Sequence, residues 1–122
     1  YYVIIYAPPE KAYTRDVDKA KLQKFESLFE EAYSLVMKGQ HWEAMVLNGL
    51  TSSIALGYST KPMLNALLVG AIGSGLSGKG PAMVAICHNN RVNDIASAWA
   101  DLPGEIIYTK VNYEKARSVV LD

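Results

Sequence analysis

The chain has 122 residues, half of them apolar and a fifth charged, and its 12 Lys and Arg balance 12 Asp and Glu. That length holds one domain with a sizeable core, and the composition excludes both a second complete domain and a disordered chain. Zero net charge without a basic run speaks against nucleic acid and anionic membranes as partners, because both require a Lys- and Arg-rich face.

Residues 2–7, Tyr-Val-Ile-Ile-Tyr-Ala, are β-branched, aromatic and nearly all apolar, which predicts a central strand stopped by Pro8 and Pro9. The chain opens at Tyr1 directly in this strand-like run, with no charged leader before it, and so reads as a fragment. A polar loop over 10–16 precedes Leu22, Phe25, Leu28, Phe29, Ala32, Leu35 and Val36, whose spacing of three and four predicts one amphipathic helix over 18–38. Asp16 or Asp18 would cap it, and Gly39 would follow its end.

A second helix is predicted over 41–56, with Trp42, Met45, Val46, Gly49, Leu50 and Ile54 on its inner stripe and Gly57 past its end. Pro62, preceded by Ser59 and Thr60 as caps, opens a third helix with Leu64, Leu67 and Leu68 inward, ending near Gly70. Two strands follow, over 71–77 and 82–87, joined by a glycine turn. A helix capped by Asn89 or Asn90 then carries Val92, Ile95, Ala96 and Trp99 inward, and a last strand spans 105–111. This order predicts an α+β domain over 1–122: a ferredoxin-like split βαβ with a largely antiparallel four-stranded sheet, helices on one face and an enlarged first crossover.

No apolar stretch approaches the ~18 residues that span a bilayer. Cys87 is the only cysteine, so it forms no internal disulfide; within AMVAIC it reads as a small buried hydrophobe suited to a reducing cytoplasm. His41 and His88 have no partner at metal-ligand spacing, so no metal site is expected.

The segment GSGLSGKGP gives up core-forming side chains over several positions. Glycines there would allow positive φ and a close backbone approach to an anionic oxygen, making a phosphate or carboxylate cradle; a tight hairpin with a bulge is the plainer alternative. Gly73, Gly75 and Gly78 satisfy a dinucleotide fingerprint, and Gly73, Gly78 and Lys79 most of a Walker A motif. Both motifs need a strand before and a helix after, whereas here a helix precedes and a strand follows.

In context, GAIGSGLSGKGPAMVAIC resembles the third, C-terminal motif of the GHMP kinases, a glycine-rich loop between two strands. Within that superfamily the resemblance is to the archaeal type of shikimate kinase. AYTRDV after the opening strand, WEAMVLNGL with LGY behind it, and the closing TKVNYEKA occur in the expected order. The resemblance covers essentially the whole chain, as the C-terminal half of such an enzyme.

The resemblance implies transfer of the ATP γ-phosphoryl group to the 3-hydroxyl of shikimate, with Mg²⁺ required. It places the nucleotide loop in an N-terminal domain outside these residues, so no catalytic residue is expected here and the chain alone should be inactive. Gly75, Ser77, Gly78, Lys79 and Gly80 would support the phosphate loop of that domain. Lys79 departs from the motif, which usually has Thr or Ser there. Thr14 and Arg15 would reach the acidic substrate, the guanidinium matching a carboxylate, and Asn48 would face the cleft with Thr51 and Ser52. An exposed loop arginine is the alternative for Arg15, and a local backbone cap for Asn48.

The expected partners are the N-terminal domain and shikimate, with self-association through any apolar wall left uncovered. Another small-metabolite kinase of the superfamily, such as homoserine kinase, and a non-catalytic ferredoxin-like ligand-binding module are the competing readings.

Overall fold

The computed structural model of the chain describes residues 1–10 and 18–121. Its elements are β1 (Tyr2–Ala7), α1 (Lys19–Gln23), α2 (Glu26–Met37), α3 (His41–Leu56), α4 (Lys61–Leu68), β2 (Gly73–Leu76), β3 (Met83–Cys87), α5 (Val92–Trp99) and β4 (Glu105–Lys110). The strands form one sheet in the order β2-β3-β1-β4, and every neighbouring pair is antiparallel. This is the expected α+β, ferredoxin-like split βαβ, with a first crossover enlarged, among the described residues, to four helices.

Successive strand residues face opposite sides, so Tyr2, Ile4 and Tyr6 of β1 share a face with their β3 partners Cys87, Ala85 and Met83. Helices α4 and α5 pack on that face, and Ile4, Ala66, Ala85, Ile95 and Trp99 close into the core. Trp99 is fully buried, and its Nε1 donates to the Pro62 carbonyl at 2.8 Å, which ties α5 to the start of α4. The opposite face carries Val3, Ile5 and Val84, half-buried, and the exposed Ile107.

Helix α3 lies against the edge strand β2, and α1 and α2 pack chiefly on α3. Burial along α3 follows from that layered position. Small residues, Ala44, Gly49, Thr51, Ser53 and Ala55, are the buried ones, while Ile54, expected on the inner stripe, is exposed.

The single helix expected over 18–38 is two helices. Phe25 takes φ −109° and ψ 13°, outside the helical region, and breaks the run between Gln23 and Glu26. Asp18 caps α1 as expected, accepting from the amides of Ala20 and Lys21 at 3.0 and 3.3 Å; Asp16 lies outside the described residues. Gly39 and Gly57 take φ of 80° and 79° past the ends of α2 and α3, as their positions predicted.

The expected inner face of α4 is corrected. Pro62, Met63 and Ala66 are buried, Leu67 is half-buried, and Leu64 and Leu68 are 43% and 84% exposed. A small residue at 66 lets the helix backbone approach the sheet more closely than leucine would. Asn89 and Asn90 do not cap α5; they form a 3-10 turn with Arg91, whose guanidinium pairs with Asp94 at 3.1 Å in the first turn of α5.

Candidate functional site

Strands β2 and β3 are joined by the glycine segment as a closed hairpin. The Ser77 amide donates to the Ala82 carbonyl at 2.9 Å, and the Gly80 amide donates to the Ser77 carbonyl at 3.1 Å. Two amides are thereby spent inside the turn, which favours a supporting rim over an open cradle of N–H groups. Gly78 and Gly80 take φ of 62° and 73°, where side chains with a Cβ are strained.

The two glycines differ in surroundings. A Cβ on Gly78 would meet no atom within 4 Å, whereas one on Gly80 would lie 2.8 Å from Cε2 of the Tyr58 ring. Tyr58 follows the left-handed Gly57 at the end of α3, so the helix terminus positions the aromatic ring against the hairpin.

Of the residues singled out in the sequence, Ser77, Gly78, Lys79 and Gly80 share this hairpin. Ser77 and Gly78 are exposed, and Lys79 and Gly80 are half-buried. Gly75 is instead buried within β2, against Met45 of α3. Asn48 is exposed and lines a groove between α2 and α3 with Phe29, Tyr33 and His41. Thr51 does not share that surface: it is buried, and its hydroxyl donates to the Leu47 carbonyl at 2.7 Å. Thr14 and Arg15 lie outside the described residues.

Beside the hairpin is a cavity of about 520 Å³, within the range of small-molecule sites. Pro81 of the hairpin, Tyr58, Ser59 and Lys61 from the α3–α4 connection, and Asn65 of α4 form part of its wall. The end of β1 supplies Tyr6, Pro8 and Glu10. Sequence reasoning missed the polar members of this set, Tyr58, Lys61, Asn65 and Glu10. The one signal for them was LGY, in which Tyr58 stands directly after the helix-ending glycine.

Burial, and secondarily the charge of Glu10, pushes the Tyr6 phenol above its ordinary value. It is therefore a neutral donor near neutral pH, and it donates to the Pro103 carbonyl at 2.6 Å. Burial likewise raises the Cys87 thiol, partly opposed by the amino terminus, which leaves a packed thiol instead of a nucleophile. Among the described residues no three His, Cys, Asp or Glu side chains gather as a group that could hold a metal ion. No helix among them is long and apolar enough to cross a membrane.

No protein-family model matches the chain. It is 37% identical over 112 residues to a shikimate kinase of Methanobrevibacter smithii, covering 92% of this chain and 39% of that protein. It is also 37% identical over 118 residues to a shikimate kinase of Methanosarcina acetivorans, covering 95% and 40%. The chain thus spans about two fifths of the length of the curated relatives it matches.

Among solved structures, the fold is similar to L. major mevalonate kinase, with a TM-score of 0.59 and 20% identity over 88% of this chain and 41% of that one. A putative homoserine kinase from Listeria monocytogenes aligns with a TM-score of 0.52 and 15% identity, over 88% and 39%. In sequence the chain is thus similar to shikimate kinases over nearly all of its own length, and in fold to a mevalonate kinase and a putative homoserine kinase.

Proposed function

We propose that this chain is the C-terminal domain of a GHMP-type shikimate kinase, a phosphotransferase that moves the ATP γ-phosphoryl group to the 3-hydroxyl of shikimate. The observation that carries this reading is sequence similarity over more than nine tenths of the chain to shikimate kinases some two and a half times its length. In the reaction the hydroxyl oxygen bonds to the γ-phosphorus, the bond to ADP breaks, and the hydroxyl proton is released. Positioning and charge stabilisation dominate the catalysis of such transfers.

The described residues contribute a wall, not the reacting groups. The hairpin amides of Ser77 and Gly80 are already bonded within the turn, which suits a rim that supports a phosphate loop from the N-terminal domain. Gly75, buried against α3, fixes the strand below that rim, while Ser77, Gly78 and Lys79 form its outer part. Thr14 and Arg15 follow Glu10 in sequence, and Glu10 lines the cavity. Arg15 would hold the substrate carboxylate by a two-point, charge-assisted contact. Asn48 lines a separate groove between α2 and α3, away from the cavity beside the hairpin.

ATP would be held mainly by the N-terminal domain. The Mg²⁺ that the transfer requires would be held together with the nucleotide in that domain. The protein is assigned to the cytoplasm on its lone buried cysteine and the metabolic reaction. Phosphorylation of shikimate by the complete polypeptide, with homoserine as the competing substrate, tests the assignment; turnover of homoserine alone would overturn it.

A further inference from the structure

Tyr58 is held at its base by two helix ends. Its amide donates to the Ser53 carbonyl at 2.8 Å, closing α3 around the left-handed Gly57. One residue further on, the Ser59 hydroxyl oxygen accepts from the Lys61 amide at 3.2 Å, where α4 begins. Both helix ends are themselves tied down. Ser53 is fully buried and its hydroxyl donates to the Met63 sulfur of α4 at 3.5 Å, while the Pro62 carbonyl accepts from the buried Trp99 at 2.8 Å.

The ring of Tyr58 meets the hairpin. A Cβ on Gly80 would lie 2.8 and 3.3 Å from Cε2 and Cδ2 of Tyr58 and 3.3 Å from Cδ2 of Leu76, so the ring edge and that leucine occupy the side of Gly80 where a side chain would stand. The hairpin does not need this contact to close, because the Ser77 and Gly80 amides already bond within it. What the contact sets is the direction of the tip. Strand pairing ends at Leu76 and Met83 on the edge strand of the sheet, and Tyr58 touches the turn beyond that last pair. The Tyr58 hydroxyl forms no hydrogen bond among the described residues, so the ring and not the phenol group makes the contact.

We propose that Tyr58 is a positioning residue for phosphoryl transfer: its ring fixes the tip of the glycine hairpin relative to α3 and α4, and so the place at which Ser77, Gly78 and Lys79 support the phosphate loop. This rests on the reading of the chain as a domain of a shikimate kinase. Ser77 and Gly78 are exposed at the tip, where a small tilt of the hairpin moves them most. A misplacement of about 1 Å away from the reacting atoms can cost about a hundredfold in rate. Without the ring the hairpin keeps its own bonds but loses its stop, since the strand pair alone leaves the turn free to lean toward the space that Tyr58 fills.

Steady-state kinetics and thermal melts of the complete polypeptide test this, with every assay run well below the melting temperature of the variant. Tyr58→Ala should lower kcat about tenfold to a hundredfold and leave KM for ATP and for shikimate within about twofold, because the hairpin supports the phosphate loop and holds neither ligand. Tyr58→Phe keeps the ring and should restore most of the rate. Ile95→Ala truncates the core between α5 and the sheet; it should lower the melting temperature at least as much with kcat retained, which separates positioning from stability. Gly80→Ala should cost less melting temperature in the Tyr58→Ala background than in the parent, since the ring it must displace is gone, and this arm needs no substrate. If Tyr58→Ala does not fold, Tyr58→Leu takes its place. Parental kcat in the Tyr58 variant, an equal loss of kcat in Ile95→Ala, or additive effects at Tyr58 and Gly80 would overturn the proposal. A parent that phosphorylates homoserine and not shikimate overturns the shikimate reading alone, and the same kinetics are then read with homoserine; a parent inactive on both overturns the proposal together with that reading.

Discussion

Gly49 of α3 and Gly75 of β2 meet backbone to backbone: a Cβ on Gly49 would lie 2.6 Å from the Gly75 Cα and 3.1 Å from the Ser74 carbonyl oxygen. The Met63 methyl, at the same 2.6 Å, can swing aside, but the strand backbone cannot. Alanine normally favours a helix over glycine by about 1 kcal/mol, whereas overpacking costs about 1–3 kcal/mol. Gly49→Ala should therefore lower the melting temperature despite its better helix propensity. An unchanged or higher Tm would show that α3 and β2 separate freely.

The two left-handed glycines of the hairpin should respond unequally. Gly78→Ala meets open space and suffers only the backbone penalty of about 1–2 kcal/mol. Gly80→Ala must also displace the Tyr58 ring, so its loss of stability should be larger. In the complete enzyme Gly80→Val should abolish turnover. Retention of both melting temperature and turnover by Gly80→Val would remove the hairpin from the functional account.

Much of this arrangement is legible in the sequence. The β-branched run of β1 predicts a central strand, and the glycine segment between Leu76 and Met83 predicts the β2–β3 hairpin, because each has a local steric cause. Other features depend on what packs where. The break at Phe25 is invisible because apolar spacing continues through Leu22, Phe25 and Phe29. The face of α4 is misread because hydrophobicity ranks leucine above alanine, while close packing on the sheet selects Ala66 and leaves Leu68 out. The cavity is the least legible feature: Tyr6, Tyr58, Asn65 and Pro81 are distant in sequence and meet only through the β1-centred topology.

Alkali should destabilise the fold through two buried groups. The thiol of Cys87 and the phenol of Tyr6, with ordinary values of 9.0 and 10.0, are both raised by burial, Tyr6 also by Glu10. The unfolded chain loses these protons first, so their contribution is complete below the ordinary values and lost as pH rises through the folded-state values. Melting temperature should fall above about pH 9. Cys87→Ala should flatten the first part of that decline and Tyr6→Phe the later part. A profile that neither substitution changes would contradict the assignment.

Arg15 tests the substrate contact. If its guanidinium holds the shikimate carboxylate, Arg15→Ala in the complete enzyme loses a charge-assisted bond of about 1.5–3 kcal/mol, roughly a 10- to 150-fold fall in kcat/KM. Arg15→Lys should recover part of the loss, since an ammonium makes no planar two-point contact. ATP affinity and melting temperature should hardly change. Kinetics of Arg15→Ala within about twofold of the parent enzyme would transfer the carboxylate's partner to the N-terminal domain.

The central claim is that these residues form one wall of a shikimate kinase whose reacting groups lie elsewhere in the polypeptide. ADP release is to be measured with ATP, Mg²⁺ and shikimate, for the 122-residue chain and for the complete polypeptide. The account predicts no turnover above buffer for the chain alone and shikimate-dependent turnover for the complete protein. Shikimate phosphorylation by the isolated chain, or none by the complete polypeptide, would contradict it.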